Sequence, residues 1–102
     1  MMFARVHTLE TTPEQHDAGL EIIRSELLPW TSESTGFRGL IGLMDRAGGT
    51  ALVITLWADE ESLRASEQAG DKLSALTAEA TGATRRSLDD YEVTVFELVP
   101  RA

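Results

Sequence analysis

Alternating apolar and polar positions predict four β-strands in this chain, because successive side chains of a strand point to opposite faces of a sheet. Residues 2–9 (MFARVHTL) show the alternation first. One row of side chains there is Phe3, Arg5, His7 and Leu9, and the other is Ala4, Val6 and Thr8. The other predicted strands are 37–46 (FRGLIGLMDR), 50–57 (TALVITLW) and 90–99 (DYEVTVFELV). The tripeptide AGG joins the second strand to the third as a hairpin.

A spacing of three and four residues predicts a helix after the first strand. Thr12 is its N-cap, Pro13 its first helical residue, and Gln15 completes a capping box. The apolar row of this helix is His16, Leu20, Ile23, Leu27 and Trp30. Pro29 ends or kinks the helix.

A second helix is predicted to begin after Asp59, its N-cap, with Glu60 and Glu61 in the first turn. Gly70 interrupts this helix. It resumes through residues 71–80, with Leu73, Leu76 and Ala80 on one side, and stops at Gly82.

The predicted order β-α-β-β-α-β indicates an α+β, ferredoxin-like fold with both helices on one face of an antiparallel sheet. The third strand is apolar on both of its faces. Because the helices cover only one face, the other would expose an apolar patch of the kind that marks an interface. We therefore predict a homodimer that packs sheet to sheet, with Leu52, Ile54 and Leu56 near its centre.

Composition narrows the function classes. The 102 residues are predicted to form one domain (1–102), and their net charge of −8 at pH 7 opposes binding to nucleic acid or to an anionic membrane. The absence of cysteine excludes disulfides and thiolate metal sites. No metal-ligand spacing is found among the histidines and carboxylates, so no metal site is predicted. Neither a membrane span nor a signal peptide is recognisable, and we predict a cytoplasmic protein.

Four segments resemble the dimeric α/β-barrel proteins of the antibiotic-biosynthesis-monooxygenase (ABM) type. They are TTPEQHDAGLEII, GFRGLIGL, ITLWADEESLRAS and YEVTVFEL. The most specific part is a strand that ends in Trp and leads through acidic residues to Leu-x-Ala. That family includes cofactor-free quinone-forming oxygenases and haem-degrading enzymes. The resemblance implies a dimeric α/β barrel with a ligand cavity between the sheet and the helices of each subunit.

The resemblance also implies where the sites lie. The predicted substrate-pocket residues are Trp57, Val53, Val6, Leu63, Thr55 and Leu76. The predicted dimer-interface residues are Leu52, Ile54, Leu56, Phe3 and His7.

The catalytic residues of the family are missing at the matching positions, apart from Trp57. Val53, Leu63 and Thr77 replace the Asn, Tyr and Arg of the polyketide-oxidising members, and Val6, Ser66 and Leu76 replace the Asn, Trp and His of the haem-degrading members. The chain contains no asparagine at all. We therefore predict no haem or other cofactor, and the catalytic residues stay unassigned.

Three hypotheses of function follow. The chain is a cofactor-independent monooxygenase acting on an aromatic or quinol-type small molecule, or it binds a small apolar ligand without chemistry, or it is a structural dimer with a filled core. Trp57 is a pocket wall in the first two and a core lid in the third. Small residues such as Ala4 and Ala51, which we place beneath Trp57, favour a pocket.

Overall fold

The fold consists of one antiparallel sheet with helices packed on it. A computed structural model describes residues 1–29, 33–67 and 81–100. The elements within them are β1 (Phe3–Glu10), α1 (Pro13–Ile22), a π-helical turn (Ile23–Leu27), β2 (Phe37–Asp45), β3 (Thr50–Trp57), α2 (Glu60–Ala65) and β4 (Thr84–Glu92). The strand order is β2-β3-β1-β4, and every neighbouring pair is antiparallel. The predicted α+β, ferredoxin-like fold is confirmed.

The predicted start of α1 is confirmed in detail. The Thr12 hydroxyl oxygen accepts the Gln15 backbone N–H over 3.2 Å, and Gln15 Oε1 accepts the Thr12 backbone N–H over 2.9 Å. This is the capping box, followed by Pro13 as the first residue of the helix. The helix then widens into the π-helical turn, where the Leu28 N–H donates to the Ile23 carbonyl. Apolar spacing does not distinguish such a turn from a regular helix.

Strand register decides which side chains face the helices. Residues directly opposite each other in an antiparallel pair share a face, and β1 places Phe3 opposite Trp57, Arg5 opposite Thr55 and His7 opposite Val53. Val53 and Ile23 form a buried apolar cluster, with Leu9 and Leu40 packed against it. We call this side the helix face. It consists of Phe3, Arg5, His7 and Leu9 from β1 and Ala51, Val53, Thr55 and Trp57 from β3.

The opposite side, which we call the open face, has Val6 opposite Ile54 and Thr8 opposite Leu52. Two predictions were therefore wrong. Val6 does not share a face with Trp57, and Phe3 and His7 lie on the helix face rather than with Ile54. A slip of one residue in register moves every side chain of a strand to the other face, and the sequence pattern of β1 does not determine that register.

The open face carries exposed apolar side chains. Ile41 and Leu43 from β2 and Tyr91 from β4 are all exposed, while Leu52 and Ile54 are half-buried. The expectation that β3 is apolar on both sides is therefore confirmed, and one of those sides is only partly covered within the subunit.

The last strand was predicted at 90–99, but β4 spans Thr84–Glu92. Glu92 pairs with Phe3, the first residue of β1. The pairing extends one step further, from the Val93 N–H to the Met2 carbonyl over 2.8 Å. Beyond that point β1 offers no partner, and residues 94–99 pair with no strand among the described residues. Val95, Leu98 and Val99 are accordingly more than 70% exposed.

The remaining differences are local. The β2–β3 connection is the four-residue turn 46–49 rather than AGG alone, because Asp45 pairs directly with Thr50. The predicted N-cap Asp59 is confirmed. Trp30, Gly70, Leu73, Leu76, Thr77 and Ala80 lie outside the described residues. In the part of the chain that is described, no helix is long and apolar enough to cross a membrane.

Candidate functional site

Polar side chains are buried on the helix face, where an ordinary domain core would be apolar. Arg5 is 3% exposed, and His7 and Thr55 are each 6% exposed. β1 supplies Arg5 and His7 from alternate positions, and β3 places Thr55 directly opposite Arg5. Buried polar groups cost free energy unless they are hydrogen-bonded, so a cluster of them between sheet and helices marks a candidate site.

Trp57 forms one end of this site. Its indole Nε1 donates to the Thr55 hydroxyl oxygen over 3.0 Å, a bond between two buried side chains two residues apart on β3. The Phe37 ring packs edge-on against the indole, with ring centroids 5.4 Å apart and an interplanar angle of 66°. Phe37 pairs with Trp57 across β2 and β3. The partner that a buried indole requires is therefore supplied from its own strand.

Arg5 is held by an ion pair with β4. Its Nε donates to Asp90 Oδ1 over 3.0 Å, and the two residues are directly opposite each other in the sheet. The Arg5 nitrogen Nη2 is buried and has no hydrogen-bond partner among the described residues. The guanidinium is thus oriented by one carboxylate oxygen while one of its terminal donors is unused.

The segment that follows Trp57 leads directly into α2 and is held by several hydrogen bonds. Asp59 Oδ1 accepts the Ser62 backbone N–H over 2.7 Å, and this hydrogen bond lowers the pKa of Asp59. The Gly36 carbonyl accepts the Ala58 N–H over 2.7 Å. Gly36 has φ of +81° and lies directly against the Ser62 side chain. These contacts fix the chain on both sides of the Phe37–Trp57 pair.

An open cleft of about 600 Å³ lies beside α2. Among the described residues, its lining includes three carboxylates, those of Glu33, Asp59 and Glu61, together with the side chains of serines, a threonine and Ala65. The predicted pocket residues that the structure describes, which are all of them except Leu76, do not line this cleft. Among the described residues, no group of three or more histidines and carboxylates is placed to hold a metal ion.

The structure brings together only part of the predicted pocket. Trp57, Thr55 and Val53 share the helix face and are buried, and Leu63 of α2 is 1% exposed. Val6 is on the open face, and Leu76 lies outside the described residues. Of the predicted interface residues, Leu52, Ile54 and Leu56 lie on the open face. Whether these sets bind a substrate and a second subunit stays a prediction.

The sequence interpretation missed Arg5 and Asp90 as site residues. The sequence pattern places Arg5 in one row with the predicted interface residues Phe3 and His7, and it places Asp90 at the start of the last predicted strand. The sequence does contain two relevant features: an arginine and a histidine in one row of the first strand, and several charged residues near the C-terminus. The sequence alone does not show that they are neighbours, because that depends on the register of β1 with β4.

Comparison with known proteins supports the fold. No family model matches the chain. Two uncharacterized proteins from two strains of Mycobacterium tuberculosis are each 32% identical to it over 66 residues, which is 65% of this chain and 28% of each relative. The chain therefore spans less than a third of the length of these curated relatives.

Three solved structures illustrate the structural likeness. The ActVA-Orf6 monooxygenase of Streptomyces coelicolor, solved with nanaomycin D, has a TM-score of 0.68 and 18% identity, covering 97% of this chain and 92% of its own. A Nitrosomonas europaea protein of unknown function has a TM-score of 0.66 and 24% identity, covering 98% and 96%. The cofactor-independent oxygenase SnoaB of Streptomyces nogalater has a TM-score of 0.63 and 12% identity, covering 98% of both chains. At these identities the likeness shows the fold of the single chain. The dimeric barrel and the ligand cavity that the sequence resemblance implies stay predictions.

Proposed function

We propose that this chain, which has the fold of the antibiotic biosynthesis monooxygenases, is a cofactor-independent monooxygenase acting on an aromatic or quinol-type small molecule. The observation that carries the proposal is the buried polar cluster of Arg5, His7 and Thr55 on the helix face, next to the aromatic pair Phe37 and Trp57. Two proteins of similar fold also support the proposal. One is a monooxygenase solved in complex with nanaomycin D, and the other is a cofactor-independent oxygenase.

The proposed reaction needs no external reductant. A methylene group activated by two aromatic rings and a carbonyl, as in an anthrone, reacts with O₂ to give a carbonyl group and water. One oxygen atom enters the product and the other leaves as water with the two hydrogens of the methylene group. The substrate supplies all four electrons. The contribution of the protein is to remove the first proton and to hold the resulting anion away from bulk water.

His7 is the residue we propose as the base for that proton. It is buried on the helix face, in the same row as Arg5 and directly opposite Val53. Imidazole is the side chain whose ordinary pKa lies nearest neutrality, and it suits proton transfer at neutral pH. This role replaces the interface role that we had predicted for His7.

The second candidate function is binding of a small aromatic ligand without chemistry. It is favoured by the Trp57 indole N–H, which already donates to Thr55 and so is not free for a substrate. It is also favoured by the apolar residues Val53 and Leu63, which stand where the resembling oxygenases have polar ones.

Oxygen consumption with 1,8-dihydroxyanthrone separates the two functions. We expect the wild type to accelerate oxygen uptake above the uncatalysed rate, and His7→Gln to lose this acceleration. His16→Gln is the matched control. His16 is half-buried in α1 rather than on the sheet, and its replacement should keep full activity. Binding of the anthrone without faster oxygen uptake would favour the non-catalytic function. Absence of binding would contradict both.

We also propose that two chains pair through the open face. The support is its exposed apolar side chains, Ile41 and Leu43 among them, and the exposed apolar segment 94–99 that follows β4. Sedimentation at micromolar concentration should give about twice the 11.1 kDa mass of one chain. Ile54→Asp should dissociate or unfold the assembly because it buries an unpaired charge. A compact wild-type monomer would contradict this proposal.

A further inference from the structure

Arg5 carries a buried donor that nothing in the described part of the chain uses. The side chain is 3% exposed, and its Nη2 is the only buried side-chain nitrogen or oxygen among the described residues without a hydrogen-bond partner. Buried polar groups in native proteins are paired in the great majority of cases. An unpaired donor on the same face as Trp57 and His7 therefore points to a partner that the described part of the chain does not supply.

The geometry of the Arg5–Asp90 pair explains why this donor is left over. The Nε and Nη2 groups lie along one edge of the guanidinium, and a carboxylate placed squarely on that edge accepts from both. Asp90 Oδ1 engages Nε over 3.0 Å, and Nη2 stays unpaired. Asp90 belongs to the edge strand β4, and its side chain is 31% exposed. The carboxylate thus holds the guanidinium from the margin of the sheet.

The neighbours of Arg5 place the free donor in the candidate site. Thr55 lies directly opposite Arg5, and its hydroxyl is the acceptor for the Trp57 indole N–H. An oxygen atom bound at Nη2 would therefore belong to a ligand whose ring lies on the same face as Trp57. The chain as a whole has a net charge of −8, so attraction for an anion has to come from a local cation such as this one.

We propose that Arg5 Nη2 binds an anionic oxygen of the ligand, the ionised hydroxyl or carboxylate of an acidic aromatic molecule. Asp90 is the positioning residue that orients the guanidinium. This inference rests on the proposed function, because it assigns the charge of the molecule held on the helix face. It makes ionised phenols, enols and aromatic acids the preferred ligands over neutral molecules of the same shape.

Two naphthoquinones test the charge preference. At pH 7 the 2-hydroxy-1,4-naphthoquinone is ionised, whereas its 2-methoxy ether has the same ring and no charge. Binding is followed by calorimetry and by emission of Trp57 in a Trp30→Phe background. We expect the ionised compound to bind wild type at least about tenfold more tightly, the usual effect of one charge-assisted hydrogen bond in a buried site.

A double variant that neutralises both Arg5 and Asp90 tests whether the charge preference comes from Arg5. Arg5→Gln combined with Asp90→Asn removes both charges and so leaves no unpaired carboxylate that would unfold the chain. We expect its preference for the ionised compound to fall below about twofold. The matched control is Arg64→Gln with Glu60→Gln, which removes an exposed ion pair on α2 and should keep the wild-type preference. If the role of Arg5 were purely structural, the double variant would be less stable than wild type but would keep the wild-type preference for the ionised compound.

Each outcome decides the matter. Equal affinity of wild type for both compounds would overturn the inference and leave the proposed function standing, since a planar ligand still binds. Failure of both compounds to bind would overturn the proposed function and the inference with it. If circular dichroism shows that the neutralised pair does not fold, Arg5→Met combined with Asp90→Leu replaces it, because apolar side chains often substitute for a buried ion pair without loss of stability. This variant also lacks the cation, so an unchanged preference in it would overturn the inference.

Discussion

Replacing Thr55 with Val tests the hydrogen bond that holds Trp57 in the candidate site. The substitution keeps the shape of the side chain and removes the acceptor of the indole N–H. Trp57 is 2% exposed, so water does not readily replace the lost partner. The buried N–H then costs about 1–3 kcal/mol, and the added methyl group recovers up to about 0.8 kcal/mol. With the full recovery, we expect a net loss of roughly 0.2–2 kcal/mol in the free energy of unfolding.

Urea unfolding at a fixed protein concentration measures this loss, and the concentration must be fixed because any dimerisation adds to the apparent stability. Thr8→Val is the matched control. Thr8 is half-buried on the open face of β1, opposite Leu52, and its replacement should change the free energy of unfolding by no more than about 0.5 kcal/mol.

A double-mutant cycle isolates the bond itself. Trp57→Phe removes the donor, and the variant with both substitutions has neither donor nor acceptor. We expect a coupling energy of about 0.5–1.5 kcal/mol between the two positions. A coupling within the additivity error of about 0.3 kcal/mol would refute the interpretation that Thr55 fixes the orientation of the indole.

The remaining predictions concern the packing around the site. Gly36→Ala should destabilise the fold by about 1–3 kcal/mol in thermal unfolding, because φ is +81° and a Cβ would collide with Ser62; Gly42→Ala, whose Cβ would meet nothing closer than 4.0 Å, should be tolerated. Leu63→Ala should cost about 2–5 kcal/mol in urea unfolding, since Leu63 is 1% exposed and its loss leaves a cavity. The pKa of Asp59 is lowered in the fold by its hydrogen bonds to Ser62, so its contribution to stability is present above the ordinary aspartate pKa and is lost as the pH falls through the lowered value. Asp59→Asn should keep the helix cap and lose this part of the acid dependence, measured by unfolding across pH 2–6 in roughly half-unit steps; an unchanged acid dependence would contradict this assignment.

Features that depend on neighbouring residues in the sequence were predictable. The capping box of Thr12 and Gln15 and the N-cap at Asp59 involve atoms three residues apart, so the local sequence contains the whole interaction. The order of strands and helices was predictable for a related reason, because the apolar periodicity of each element is itself local. Together they determine the ferredoxin-like topology.

The end of the last strand depends on a distant element. Residues 90–99 have the alternation and the β-branched content of a strand, yet pairing stops near Glu92 because β1 begins at Phe3. The mostly polar residues 84–89 (TRRSLD) lack an apolar alternation but pair along β1. A segment forms a strand only where a neighbouring strand pairs with it. Residues 90–99 contain no information about where their partner, β1, begins.

The candidate site was hidden because it violates the apolar pattern on which the interpretation of β1 relied. Assigning the inward row of β1 by hydrophobicity favours Ala4, Val6 and Thr8 over a row that contains Arg5 and His7. The register reverses this choice and buries the charged row under the helices. Local and global preferences of a sequence usually agree, and functional sites are where they are expected to conflict. Burial of Arg5 with an unused donor costs stability, and in our proposal a ligand on the helix face supplies the missing partner.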